Sequence, residues 1–341
     1  MNKHTIKRHL AVVIAMLVLG AFAALVCTAC GARRDSGKLR IVTTIFPEYD
    51  WVREVLGDNP AGVELTLLSG SGVDLHSYQP TANDILAIAE CDLFLYVGGE
   101  SDFWVKNALK QRKSDKRMVI NLLEILGSDA REEESVEGME DSHEEIESSA
   151  GKDGHSDSDE PEYDEHVWLS LRNAARFVTT ISDTLQKLDP ANAETYKKNA
   201  DAYLAKLSAL DEQYKKTVDS APVKTLLFGD RFPFRYLTED YGLSYYAAFA
   251  GCSAETEASF ATVTFLAGKL DELGLPAILT IDGSDGKLAQ TIFKTAAPNS
   301  LRQILTLNSL QSVTKSAIDG GATYLGIMTD NLTVLRTALG G

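Results

Sequence analysis

Along residues 39–123, short apolar runs alternate with amphipathic stretches. Residues 39–46 (LRIVTTIF) read as a strand buried on both faces, and 48–56 (EYDWVREVL) follow with helical spacing. A second run, 63–68 (VELTLL), opens into the glycine-rich loop SGSGVD; residues 81–90 are helical in pattern, and 92–97 (DLFLYV) and 118–123 (MVINLL) are strand-like. Strands separated by helices predict parallel β/α units. The pattern resumes after Pro222, with strands expected at 223–228, 243–249, 277–282 and 303–307 and helices at 233–241, 259–273, 285–296, 309–319 and 322–338. Between the two series lies a helix at 171–188. A second begins at Asp189-Pro190, with proline in the first turn, and runs to about residue 219 with Tyr203, Leu204, Leu207 and Leu210 along one side. Roughly thirty residues of helix span about 45 Å at 1.5 Å each, enough to run the length of a two-domain protein.

Two segments break this pattern. At the start, Lys3, Lys7 and Arg8 precede an apolar run over residues 10–26, followed by Thr28-Ala29-Cys30-Gly31. A basic segment, an apolar core and a small-residue cut site make an export signal. The cysteine behind a small residue resembles a bacterial lipobox, which predicts removal of residues 1–30 and lipidation at Cys30, although Cys27 stands where such boxes usually carry leucine. No later run reaches membrane-spanning length. The second break is residues 129–165, with 17 acidic residues against Arg131 and Lys152, so that a local charge of −15 accounts for nearly all of the chain's −16. With few large apolar groups it is expected to lack structure without metal, and its His143 and His155 are expected to catch cations weakly.

Charge and residue inventory narrow the chemistry. An acidic chain disfavours nucleic acid, whose phosphates demand basic surface. Of four cysteines, Cys91 and Cys252 lie beyond the export signal; both are expected to be free thiols, and without a C-x-x-C pair a thiolate zinc site is not expected. Outside the acidic segment and the signal, the histidines are His76, in GVDLHSYQPT, and His166, in DEHVWLSL. Both occupy loops at the ends of predicted elements, where open α/β sheets bind ligands, and imidazole is a common donor for zinc. The glycines of SGSG lack the Lys-Ser/Thr pair of a phosphate loop.

Residues 38–340 resemble the manganese/zinc family of ABC-transporter substrate-binding proteins. The resemblance rests on VTTIFPEYDWVREVLGD, LLSGSGVDLHSYQPTANDI, DEHVWLSLRNA, Tyr241-Gly242-Leu243 and YLGIMTDNLTVLRTAL. It implies two β/α domains with parallel sheets, joined by one long rigid helix, with a metal site in the cleft between them. The implied division is an N-terminal lobe at 38–170, a helical segment at 171–220 and a C-terminal lobe at 221–341. It carries two ligands onto His76 and His166. Where the family has a third, histidine or glutamate, ungapped counting back from Tyr241 reaches Arg231, a permanent cation with no lone pair to donate; Asp230, one residue earlier, is the expected third ligand. Where the family has a late aspartate stands Asn308, and Asp282 in ILTIDGSDG is a further candidate. The expected function is capture of a divalent metal, zinc before manganese, by a monomeric, membrane-anchored extracytoplasmic lipoprotein that delivers it to an ABC permease. It is not expected to be an enzyme, though a metal-dependent hydrolase or an adhesin are the readings from other classes.

Overall fold

The structure is a computed structural model that describes residues 38–58, 62–70, 72–111, 117–140, 162–253 and 257–341. The first lobe carries β1 (Leu39–Thr43), α1 (Phe46–Leu56), β2 (Val63–Leu67), α2 (Ala82–Glu90), β3 (Leu93–Tyr96), α3 (Val105–Lys110), β4 (Met118–Asn121) and α4 (Leu122–Leu126). Then come α5 (Leu171–Leu188) and α6 (Ala193–Ser220). The second lobe carries β5 (Thr225–Phe232), α7 (Arg235–Tyr241), β6 (Ser244–Ala250), α8 (Phe260–Glu272), β7 (Ala277–Ile281), α9 (Lys287–Thr295), β8 (Gln303–Leu307), α10 (Lys315–Asp319) and α11 (Tyr324–Ala338).

Both sheets are wholly parallel, and their strand orders are equivalent: β2-β1-β3-β4 in the first, β6-β5-β7-β8 in the second. In each, the first and third strands are central, so each sheet has a switch point where connections leave in opposite directions, the place where such sheets bind ligands. The two β/α domains joined by a long helix are thus present as the sequence pattern and the family resemblance led one to expect. A single turn of 3-10 helix at Pro190–Asn192 leads into α6, whose 28 residues span about 42 Å. No helix among the described residues is long and apolar enough to cross a membrane.

One apolar core runs through both lobes. Trp51 of α1, Trp168, Tyr196 and Tyr214 of α6 and Tyr324 of α11 are fully buried in it. Their polar atoms are tied across the lobes: the Tyr214 hydroxyl donates to the Met328 carbonyl (2.6 Å), the Tyr324 hydroxyl to the Trp168 carbonyl (2.7 Å), and the Trp168 indole N–H to the Ser309 carbonyl (2.9 Å). Burial with these three hydrogen bonds made gives rigidity, while the Trp51 indole N–H is buried without a partner. Asp50 accepts from the Tyr324 backbone N–H at 2.7 Å and pairs with Arg53; burial, only partly offset by that guanidinium, pushes its carboxyl up to about 6.

The structure departs from the sequence pattern in four places. The strand expected over 118–123 ends at Asn121, and Leu122–Leu126 is helical. A short helix at Val105–Lys110 was not expected from the pattern. The helix expected over 309–319 is confined to Lys315–Asp319, because Asp282 captures the preceding turn: its carboxylate accepts from the Ser309 hydroxyl (2.7 Å) and the Ser312 backbone N–H (3.2 Å), and Leu310 takes φ 61°. The acidic segment is ordered at both ends. Glu132 and Tyr163 form an antiparallel bridge, flanked by Glu133 N–H to Glu162 O and Asp164 N–H to Arg131 O, both 2.8 Å. Glu134 pairs with Arg235 at 2.7 Å and the Glu140 backbone N–H bonds the Ala248 carbonyl, so cations and a strand end of the second lobe hold a stem that could not fold alone. Residues 141–161, with His143 and His155, and the export signal with Cys30 lie outside the described residues.

Candidate metal centre

His76 follows β2. Its backbone is set by Asp74, whose carboxylate accepts from the His76 backbone N–H at 3.0 Å and starts a single 3-10 turn at Leu75–Ser77. His166 leaves the acidic stem by the same device: the Asp164 carboxylate accepts from the His166 backbone N–H at 2.8 Å. Aspartate two residues ahead of each histidine therefore turns the chain locally, a bond these residues favour.

The two rings come together in the cleft with their Nε2 atoms 3.2 Å apart. Their other nitrogens are occupied. The Nδ1 of His166 lies 3.0 Å from Asp164 Oδ1, and the Nδ1 of His76 lies 2.7 Å from Ser101 Oγ and 3.5 Å from Glu165 Oε2. A carboxylate on Nδ1 selects the tautomer that leaves a lone pair on Nε2, which is the arrangement behind metal-bound histidine. Two nitrogens bound to one tetrahedral zinc at about 2.0–2.1 Å stand roughly 3.3 Å apart. The observed separation fits that edge.

The electrostatics keep one ring neutral and favour cations at the other. Burial, with His166 next to it, holds His76 down to about 4. Burial also opposes charge on His166, but the Asp164 carboxylate outweighs it and raises that ring above its ordinary value. Glu165 is 2% exposed; burial raises its carboxyl, and its Oε2 has no hydrogen-bond partner, while Oε1 accepts from the Ser101 N–H at 2.8 Å. Buried acceptors around two facing imidazoles make a site suited to a small cation.

On the second lobe's side, the expected third position behaves differently from the sequence reading. A bulge between Phe228 and Arg231 shifts the β5–β6 register. It turns Arg231 toward the first lobe, where its Nη2 meets Asp74 Oδ2 at 3.0 Å. Asp230 is directed into its own sheet: its oxygens accept from the Arg231 N–H (2.9 Å) and the Ile281 N–H (3.4 Å). Asp282 is taken up by the 309–312 turn, and Asn308 Oδ1 accepts from the Leu310 N–H at 2.8 Å. The structure does not bring these three residues to the histidine pair.

Cys252, which the sequence reading set aside, does join it. Donor atoms of His76, His166 and Cys252 lie within 4.8 Å of one another, and this is the cluster of three His, Cys, Asp or Glu donors among the described residues. Both Cys252 and Cys91 are free thiols, as expected. Cys252 lies just past β6, at the carboxyl end of a strand adjoining β5, and that placement was the available signal. Gln311, 6% exposed, lies beside the cluster: its hydrogen-bond partners orient the amide with nitrogen on Asp74 (2.8 Å) and oxygen 3.3 Å from His166 Nε2.

Two parallel α/β lobes closed over paired imidazoles make the architecture of a cleft-type metal-binding protein. The chain belongs to the family described as the periplasmic zinc-uptake complex component A, whose model matches residues 41–338. It is 33% identical over 322 residues to the zinc-binding lipoprotein AdcA of Streptococcus pneumoniae, covering 94% of this chain and 60% of that protein. To the high-affinity zinc uptake system protein ZnuA of Bacillus subtilis it is 31% identical over 322 residues, covering 92% of this chain and 94% of that one. Among solved structures, the Zn(II)-bound ZnuA-like domain of Streptococcus pneumoniae AdcA superposes with a TM-score of 0.67 at 28% identity, over 89% of this chain and all of that domain. The metal-dependent lipoprotein YcdH of Bacillus subtilis gives 0.69 at 29% identity, again over 89% of this chain and all of that one.

Proposed function

We propose that this protein captures one zinc ion between its lobes, with His76 and His166 as ligands, and hands it to the permease of an ABC importer. The observation that carries the reading is the pair of facing Nε2 atoms at 3.2 Å, each ring held from behind through Nδ1. Two buried imidazoles in that relation repel when charged and are satisfied by a shared cation. Family membership and the zinc-binding relatives support the same reading. Delivery to a permease is supported by the family's description as part of an uptake complex. The protein acts as a binding component, not an enzyme; the relatives are described by binding and uptake.

Metal-stripped protein titrated with zinc against a competing chelator should show one tight equivalent per chain, and absence of that equivalent refutes the reading. Location follows from the chain's start. Cys30 carries the lipid, and the acidic residues 141–161 with His143 and His155 raise the local concentration of cations. Cys30→Ala should release the protein from the membrane fraction; unchanged fractionation and mass refute the anchor.

A further inference from the structure

We propose that Cys252 is the third protein ligand, bound as a thiolate, and that it makes the site select zinc over manganese. This rests on the capture reading above and deepens it. The second lobe's other donors are committed elsewhere. Arg231 is an ion-pair partner of Asp74, Asp230 bonds the ends of β5 and β7, and Asp282 holds the 309–312 turn. A bound divalent cation still needs a donor from this side, because two imidazoles complete neither its coordination nor its charge balance.

Three features place the sulfur there. Its donor atom lies within 4.8 Å of those of both histidines. The residue before it is Gly251, where a Cβ would stand 3.1 Å from His166 Cε1 and 2.9 Å from the Phe232 carbonyl, so glycine lets the Cys252 loop lie against the histidine ring. The loop is then fastened from the first lobe's side, where Glu133 of the acidic stem accepts from the Cys252 backbone N–H at 2.9 Å. Behind the cluster, Glu165 Oε2 is buried 3.5 Å from His76 Nδ1, so a carboxylate backs the ring whose Nε2 faces the sulfur's side. Arrival of the metal breaks the S–H bond, the proton leaves to water, and a sulfur–metal bond forms with no change of oxidation state. Thiolate is a soft donor that suits zinc, whereas manganese is held best by oxygen.

Cobalt(II) reports sulfur ligation directly. Metal-stripped wild-type protein loaded with cobalt should show an intense near-ultraviolet thiolate-to-metal charge-transfer band together with tetrahedral visible bands. Cys252→Ser should lose the charge-transfer band and roughly tenfold or more in zinc affinity, while manganese affinity moves by less than about threefold. Wild type that binds cobalt and zinc tightly without the band overturns the sulfur assignment and leaves zinc capture standing. Wild type that binds neither overturns both. A Cys252→Ser protein that keeps the band overturns the assignment, one with unchanged zinc affinity overturns the selectivity for zinc, and circular dichroism of that variant separates lost ligation from lost fold.

Discussion

The two walls of the cleft are built by different means. The first lobe and the acidic stem present His76 and His166 on short turns, each organised by an aspartate two residues upstream. Each of those rings meets a fixed partner on its far nitrogen, and the bonds that orient the backbone span two residues. The second lobe's wall is assembled from distant pieces. Arg231 comes out of a bulge in β5, Cys252 from the end of β6, and Gln311 from a turn held by Asp282. Nothing local sets these side chains. Their places depend on how β5, β6, β7 and the acidic stem pack. Local turns therefore make the histidine wall, and packing between distant segments makes the opposite one.

The sharpest way to break this contrast is to remove an imidazole. His76→Ala or His166→Ala should lower zinc affinity at least a thousandfold, about 4 kcal/mol, by competition titration, with the unfolding midpoint of the metal-free protein nearly unchanged. A loss below tenfold for either would mean that the first wall does not hold the metal.

The frame shared by both walls comes second. Asp50 titrates near 6 when folded against 3.8 for an ordinary aspartate. The folded chain thus holds that proton more tightly than the unfolded one. Its contribution is fully present below 3.8, declines as pH rises, and is lost above about 6, a change of roughly 3 kcal/mol. Denaturant unfolding of metal-free protein from about pH 3.5 to about pH 7 should show that fall, and Asp50→Asn should flatten it. Equal slopes in the two proteins would exclude the buried carboxyl as the cause.

Asp164→Asn leaves His166 in place but removes the carboxylate from its Nδ1, and should cost about 10–100-fold in zinc affinity. An effect no larger than that of an exposed substitution would show that the histidine wall is not oriented from behind. The acidic segment distinguishes the walls next. Replacing residues 141–161 with a short Gly-Ser join should leave the tight equivalent intact and slow uptake only when zinc is scarce. Glu133→Gln, which weakens the hold on the Cys252 loop, should cost about threefold in affinity. If excision of 141–161 abolishes tight binding instead, that segment is part of the site.

The smallest effect is expected at Asp230. Asp230→Ala should leave zinc affinity within about twofold and lower stability by about 1 kcal/mol through its lost backbone bonds. A tenfold affinity loss would return Asp230 to the metal and displace Cys252.

Much of this was legible along the chain. Apolar runs of strand length separated by helical periodicity determined the parallel β/α units, since a strand buried on both faces and a crossover helix each leave a local period. The long helix was legible from its proline start and apolar stripe, and His76 and His166 from their loops at element ends. All of these depend on neighbours within a few residues. The metal's other side does not. A lone cysteine has no spacing that marks it, and Cys252 became a donor only because Gly251 lets the loop meet a ring 85 positions earlier in the chain. Counting residues could not choose between Asp230 and Arg231, because a one-residue bulge decides which side chain turns to the cleft and which into the sheet. The acidic stem, disordered by its composition, is ordered by Arg235, Glu239 and Ala248 of the other lobe. Local pattern determined the elements and the histidine wall, where the forces act over one or two turns of chain. Tertiary packing alone decided the opposite wall, because its geometry comes from backbone hydrogen bonds and ion pairs between segments about a hundred residues apart.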